Sequence, residues 1–435
     1  MKNPVESMAK LALHPADILI PKKGINLRKW ATVACDQYTS NKSYWERVSN
    51  YVGNAYSTLA LTFPEVYLED EDSAQRIERI NKAMEQYVKD GIFDTYHNCF
   101  MLVRRDTPRS TRWGLVGCLD LEAYDFSPDS TSLIRATEGT IVSRIPPRKA
   151  IREHALLELP HIMVLIDDGE KSLIEPLKAG HRLVYDTDLM ENGGHVSGYL
   201  VDSEEDFTHI AEALQGLYDK LDPDNPLLFA MGDGNHSLAT AKSCWEDIRN
   251  RLSPEEALHH PARYALVEIE NIHDEGLEFE PIHRVFFNLS RKEFDALLTK
   301  QCRSFSVAKV TGSAAGFLKQ INEPGAQRFG LSEAGEGLLV YTLSEPKASL
   351  AAGSIQSVID LMLETTNGKV DYIHGVDETL RLGNQTGNLG LVLPDVSKQT
   401  FFSAIIKDRA LPRKTFSMGE ANEKRYYLEA RSLKD

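Results

Sequence analysis

Phe229-Ala230-Met231-Gly232-Asp233-Gly234-Asn235-His236-Ser237-Leu238-Ala239-Thr240-Ala241-Lys242 joins a buried strand to a helix through a tight polar turn. Leu227 to Met231 is a short, continuous apolar run, the pattern of a strand covered on both faces. Leu238, Ala241, Trp245 and Ile248 then recur at steps of three and four, which predicts an amphipathic helix. Gly232 and Gly234 allow backbone conformations closed to other residues and let a ligand approach the main chain. Asp233, Asn235, His236 and Ser237 therefore fall at the carboxyl end of a strand and the amino end of a helix, where free N–H groups and the helix dipole attract anions. A capping role would account for Asp233 or Asn235 alone. Two glycines, an acid, an amide and a histidine together exceed what a cap requires, and open α/β sheets bind ligands at such strand ends.

The rest of the chain supports an α/β reading. Before the turn, Ser203 and Asp206 begin a capped helix carried on by Phe207, Ile210, Leu214 and Leu217. Earlier, Ile77, Ile80, Met84 and Tyr87 mark a helix that Gly91 ends. Phe100 to Arg104 and Trp113 to Leu121 read as a hairpin, and Ile162 to Ile166 and Tyr264 to Ile269 as further strands. We expect layered sheet and helices of mixed α/β and α+β type, in three regions: 1–130, 131–289 around the turn, and 290–435.

Composition narrows the partners. The 435 residues are 42% hydrophobic and 26% charged, ordinary for a globular protein. The formal net charge of -15 argues against nucleic acid or an anionic membrane as partner, both of which ask for a basic footprint. The five cysteines are scattered without a C-x-x-C pair, so neither a disulfide framework nor a cysteine zinc site is expected. No signal-peptide core or membrane-length apolar run is present, which leads to the expectation of a cytoplasmic protein that binds a small molecule. The oligomeric state is left open.

Several other stretches carry candidate chemistry. Asp36 follows the apolar segment Trp30 to Cys35 at an expected strand end. Arg135, Thr137 and Glu138 cluster before Gly139; the stretch reads first as a solvated turn and second as a substrate contact. His283 and Arg284 sit between apolar residues, where arginine needs a partner, either a structural carboxylate or an anionic ligand. Arg413, Lys414 and Thr415 form a compact set of donors of the kind that grips phosphate. Phe416, Tyr426, Tyr427 and Leu428 indicate that this carboxyl-terminal tail packs.

Four of these motifs occur together elsewhere. Asp233 to Ala239, Glu280-Pro281-Ile282-His283-Arg284, Tyr372-Ile373-His374-Gly375 and Leu411 to Thr415 resemble, in order, the landmarks of the bacterial domain of unknown function 1015 family. His374 joins the substrate candidates through this likeness. The family's usual D-G-H-H-R turn is in turn similar to that of ParB/sulfiredoxin-like proteins, including ADP-dependent free-serine kinases, where it binds nucleotide phosphate. Asp233, Gly234 and His236 match that turn, whereas Asn235 replaces its first histidine and Ser237 its arginine.

The resemblance implies a ParB/sulfiredoxin-like module around Asp233 and a phosphotransferase that uses ATP or ADP with Mg²⁺ on a small, amino acid-like metabolite. Asp233 would take the substrate proton or hold Mg²⁺. His236 and His283 would join it in catalysis, and Gly232, Gly234, Asn235, Ser237, Arg284, Arg413, Lys414 and Thr415 would bind phosphate. Two alternatives stand beside it. One is a hydrolase whose metal is held by Asp233, His236, His283 and Asp36; the other is a sensor that binds nucleotide or metabolite without turnover.

Overall fold

A computed structural model describes residues 3–311 and 313–434. The chain forms two units: Met1–Glu278 with Gly419–Asp435, and Phe279–Met418. The carboxyl-terminal tail thus belongs to the first unit.

The first unit is built on an 11-stranded mixed sheet. Its main path uses β1 (Phe93–Asp106), β2 (Thr111–Asp120), β3 (Tyr124–Asp125), β4 (Ile134–Arg135), β5 (Met163–Ile166), β6 (Arg182–Asp188), β7 (His195–Val201), β8 (Phe229–Asp233) and β9 (Tyr264–Asn271). Across the sheet they run β3-β4-β8-β5-β9-β2-β1-β7-β6. Most pairs are antiparallel, but β3 with β4, β4 with β8 and β5 with β9 are parallel. The pairing of β3 with β4 continues the sheet across positions 130 and 131.

Both faces of this sheet are covered, which is why its strands read as continuous apolar runs. Along β1, Phe100 and Leu102 enter one core with Leu115, Leu119, Val267 and Ile269. The alternate residues Cys99, Met101 and Val103 enter a second core with Val116 and Cys118. The helices packed around it include α1 (Lys42–Val52), α2 (Ser73–Lys89), α3 (Ile145–Arg152), α4 (Glu204–Tyr218) and α5 (Asn235–Arg249). The signals that predict them recur in the structure: the Ser203 side chain accepts from Asp206 N–H at the start of α4, and Gly91 after α2 has φ +62°.

On β9 the alternation is broken by acids. Glu268 and Glu270 are each 1% exposed. They are matched by arginines: Arg112 Nε lies 2.8 Å from Glu270, and Arg425, from the tail, pairs with Glu268 and lies 2.5 Å from Glu429. Burial, first, and the neighbouring Glu268 raise the Glu270 carboxyl to about 8 despite Arg112. Arg431 makes a further buried pair with Glu158 at 2.8 Å. Such pairs add little net stability, but losing one partner strands a buried charge. They fix the path of the tail over the sheet.

The second unit carries a six-stranded antiparallel sheet. Its strands are β10 (His283–Phe287), β11 (Ser304–Val310), β12 (Gln327–Glu333), β13 (Gly337–Ser344), β14 (Lys369–Ile373) and β15 (Asn388–Val392), in the order β11-β13-β12-β15-β10-β14. Phe286, Phe294, Leu331, Tyr341, Ile355 and Leu391 form its core. The protein is therefore of mixed α/β class. No described helix is long and apolar enough to cross a membrane.

Candidate functional site

The strand-turn-helix at Asp233 is present as expected. β8 ends at Asp233, and Gly234 is the N-cap of α5 with φ +81° and ψ 26°. This left-handed conformation requires glycine, and a Cβ there would stand 3.1 Å from Ile162 Cα. Asp233 Oδ1 accepts the Gly234 N–H at 2.8 Å. Its Oδ2 lies 3.1 Å from Lys424 Nζ, on a side chain only 8% exposed. Burial raises the Asp233 carboxyl, but Lys424, the Gly234 N–H and His161 outweigh it and hold the group below the ordinary carboxylate range.

His236, in the first turn of α5, accepts the Ile141 N–H on Nε2 at 3.3 Å. A neutral ring that accepts on Nε2 carries its proton on Nδ1. The Asn235 Oδ1 atom is buried with no hydrogen-bond partner among the described residues. Ser237 Oγ lies 2.7 Å from His161 Nε2.

His161 is positioned from its other side. Its Nδ1 lies 3.0 Å from the Tyr427 hydroxyl, which in turn accepts the Cys35 N–H at 3.0 Å. Burial, first, and Cys35 push the Tyr427 hydroxyl well above its ordinary value, so it keeps its proton. The Tyr427 hydroxyl thus holds the His161 ring from Nδ1 and leaves Nε2 facing Ser237. Asp36 Oδ2 stands 3.9 Å from the same nitrogen. Beside this group a pocket of about 140 Å³ is walled by Phe63, Leu68, Met84 and Ile151, with the Glu65–Arg148 pair on its rim. Cys35 also borders it, but burial, Asp36 and Glu65 raise its thiol far above the range of a reactive cysteine.

The structure brings together Asp233, Gly234, Asn235, His236, Ser237 and Asp36 in the first unit. Asp36 lies in a turn rather than at the end of a strand, because the segment before it makes only a single bridge, from Val33 to Tyr426. The stretch around Arg135 runs beside the turn, since β4 pairs with β8. Arg135 itself is 2% exposed and donates to Ser130 O, Asn225 Oδ1 and Pro226 O, so its fork braces a loop. Thr137 donates to Met231 O at 2.7 Å and supports β8, and Glu138 is half-buried on the same stretch.

The remaining candidates belong to the second unit. His283 is 2% exposed, and its Nδ1 accepts the Leu393 N–H at 3.2 Å. Burial, then Arg284 and His374, lower this imidazole to about 4, so it is neutral at pH 7. Arg284 is fully buried, donates to Ile282 O and lies 5.0 Å from the centre of the Tyr372 ring. Lys414 lies 4.9 Å from that ring. Thr415 donates to Pro412 O at 2.6 Å, while Arg413 and His374 are exposed.

Lys424, His161, Arg148 and Glu65 are absent from the sequence reading. Tyr427 reads in the sequence only as a packing residue. A lone lysine between Glu423 and Arg425 gives no signal, since its partner is set by the arginine anchors beside it.

Among the described residues, no three His, Cys, Asp or Glu side chains group as metal ligands. The fold and site define a mixed α/β protein with a polar, lysine-paired strand-to-helix turn. The family described as "Protein of unknown function (DUF1015)" matches residues 19–362, and the chain belongs to that family. No curated protein matches it. Solved structures similar to it include a conserved hypothetical protein from Pyrococcus furiosus, at TM-score 0.35 and 11% identity over 73% of this chain and 94% of that one. A free serine kinase variant in complex with ADP gives TM-score 0.38 and 10% identity over 73% and 91%. SbnI from Staphylococcus aureus, with a C-terminal truncation, gives 0.35 and 10% over 70% and 82%.

Proposed function

We propose that this protein is a nucleotide-dependent phosphotransferase acting on a small polar metabolite, with ATP or ADP bound at the Asp233 turn. The observation that carries the reading is the Asp233–Lys424 pair at the amino end of α5. A buried ammonium, the first N–H groups of a 15-residue helix and a left-handed glycine form the kind of anion cradle that phosphates occupy.

The roles follow from the protonation states. Asp233 is held ionised below its usual range, which makes it a weak base. Its role is to hold positive charge: it pairs with Lys424, and it would hold a Mg²⁺ ion carried in with the nucleotide. Mg²⁺ takes one or two carboxylates from a protein and the rest of its oxygens from phosphate and water, so the single carboxylate of Asp233 fits it. Mg²⁺ supplies charge neutralisation on the phosphates. Lys424, beside Asp233, would meet a phosphoryl oxygen, and His236 would donate from Nδ1 to another. His161 would orient the acceptor through Ser237 and Asp36 in the adjoining pocket.

The test is the melting temperature of the purified protein with and without Mg·ATP and Mg·ADP. Specific binding raises it by linkage. A rise in the native protein that Asp233→Asn removes supports the reading, and absence of a rise with either nucleotide refutes it.

A further inference from the structure

The pocket beside the Asp233 turn is apolar where the body of a bound metabolite would lie. Its volume is about 140 Å³, close to that of a cavity that takes a benzene-sized guest. Leu61, Phe63, Met84 and Leu157, each no more than 3% exposed, and the half-buried Leu68 and Ile151 line it. Ser237 and His161 border the same pocket, so it is continuous with the turn. Asp36 stands at that end, 3.9 Å from His161 Nε2.

The arginines on the wall are matched to acids. Arg148 gives Nε and Nη2 to the two oxygens of Glu65 at 2.8 and 2.5 Å, and Nη1 to Arg144 O at 2.8 Å. Arg152 gives Nη2 to one oxygen of Glu158 at 2.6 Å, and Arg431 takes the other at 2.8 Å. Burial, first, raises the Glu65 carboxyl although Arg148 opposes it, which marks a poorly solvated wall. A charged group entering here would lose its water and meet only cations and anions already paired. A hydrocarbon loses no hydration of that kind and gains by removing its surface from water.

We infer that this pocket binds the short, uncharged hydrocarbon body of an alcohol, of about four to six carbons, whose hydroxyl lies at Ser237 and Asp36. The inference rests on the phosphotransferase reading and narrows its acceptor, setting it apart from a zwitterionic amino acid. In transfer, the hydroxyl oxygen bonds the nucleotide's terminal phosphorus, the bond from that phosphorus to the rest of the nucleotide breaks, and the hydroxyl proton leaves to solvent.

The test uses 1-pentanol as probe and, as control, 4-hydroxybutanoate, which carries the same hydroxyl on a charged body. The chain has nine methionines, so protein labelled with ¹³C at the methionine methyl gives a spectrum in which Met84→Leu assigns the Met84 signal. 1-Pentanol is expected to shift that signal saturably, and 4-hydroxybutanoate to leave it in place at the same concentration. From 1-propanol to 1-pentanol, each added methylene should tighten binding about three- to fourfold. Ala155→Leu, which fills the pocket, and Ile151→Gln, which makes its wall polar, should each weaken 1-pentanol binding about tenfold. The melting temperature of each variant shows that it is folded, and Ile151, half-buried on α3, serves if Ala155→Leu melts early.

The inference is overturned if 1-pentanol leaves the Met84 signal unmoved, if 4-hydroxybutanoate binds as tightly, or if the folded variants bind 1-pentanol as the native protein does. Nucleotide binding is read separately. A rise in melting temperature with nucleotide but no Met84 shift overturns this inference alone. A Met84 shift with no nucleotide response overturns the phosphotransferase reading, and with it the role of acceptor, but not the pocket's choice of guest.

Discussion

At the Asp233 turn, an acid, a histidine and a serine meet at a strand's end, half-buried, with Lys424 and His161 brought to them. In β10, His283 and Arg284 lie within a strand, both buried, with His283 Nδ1 given to a backbone N–H and Arg284 laid over a ring. The residue types are alike and the surroundings differ. Inside the strand the side chains are closed off from solvent, His283 on a backbone N–H and Arg284 over the ring. At the end of one, the chain reverses, the helix start offers N–H groups, and the side chains keep capacity for a ligand.

The largest expected effect on binding sharpens this contrast. Lys424→Met should weaken Mg·ADP or Mg·ATP binding about 10- to 100-fold, the range for a lost hydrogen bond to a charged group. Lys424→Arg should keep most of it. Calorimetric titration reads both.

Next comes the anchor of the tail. Arg425→Met leaves Glu268 and Glu429 buried without their cation and should cost about 3–5 kcal/mol in urea denaturation. The same variant should lose the nucleotide response, because Lys424 and Tyr427 ride on the segment that Arg425 clamps.

A pH effect separates β10 from the turn. An unfolded histidine takes up its proton near pH 6.5, whereas His283 holds out to about 4. Between those values the unfolded chain binds more protons. The contribution of His283 is therefore full above pH 6.5 and falls as the pH drops toward 4, by roughly 3 kcal/mol at the end of the window. Denaturation at pH 7 and pH 4.5 should show a smaller acid loss in His283→Gln than in the native protein.

The smallest effect is local. Gly234→Ala places a side chain in the left-handed region and should cost about 1–2 kcal/mol, while also displacing Ile162, whose Cα is 3.1 Å from the new Cβ. A Gly→Ala change at Gly139, where nothing lies within 4 Å of the Cβ, is the control.

Much of the fold was legible because it rests on local pattern. The caps at Ser203 and Gly91, the hairpin of β1 and β2, and the turn after β8 are each written in a few adjacent residues. The site was legible only where it is local. Gly234 to Ser237 announce themselves, but Lys424 meets Asp233 only after Arg425 and Arg431 have found acids on distant strands. His161 follows Pro160 in what reads as a plain connection, and only Tyr427 and Ser237 on either side of its ring give it a role. Arg135 and Arg284 misled in the opposite way. An arginine among apolar residues signals a partner, and here the partners include carbonyl oxygens and a tyrosine ring.

The most direct measurement is calorimetric titration of Mg·ADP and Mg·ATP into the native protein and Lys424→Met. If phosphate is held at the Asp233 turn by the tail's lysine, one nucleotide binds the native protein saturably and binds Lys424→Met at least tenfold more weakly. Equal affinity in Lys424→Met, or no binding of either nucleotide to the native protein, would contradict it.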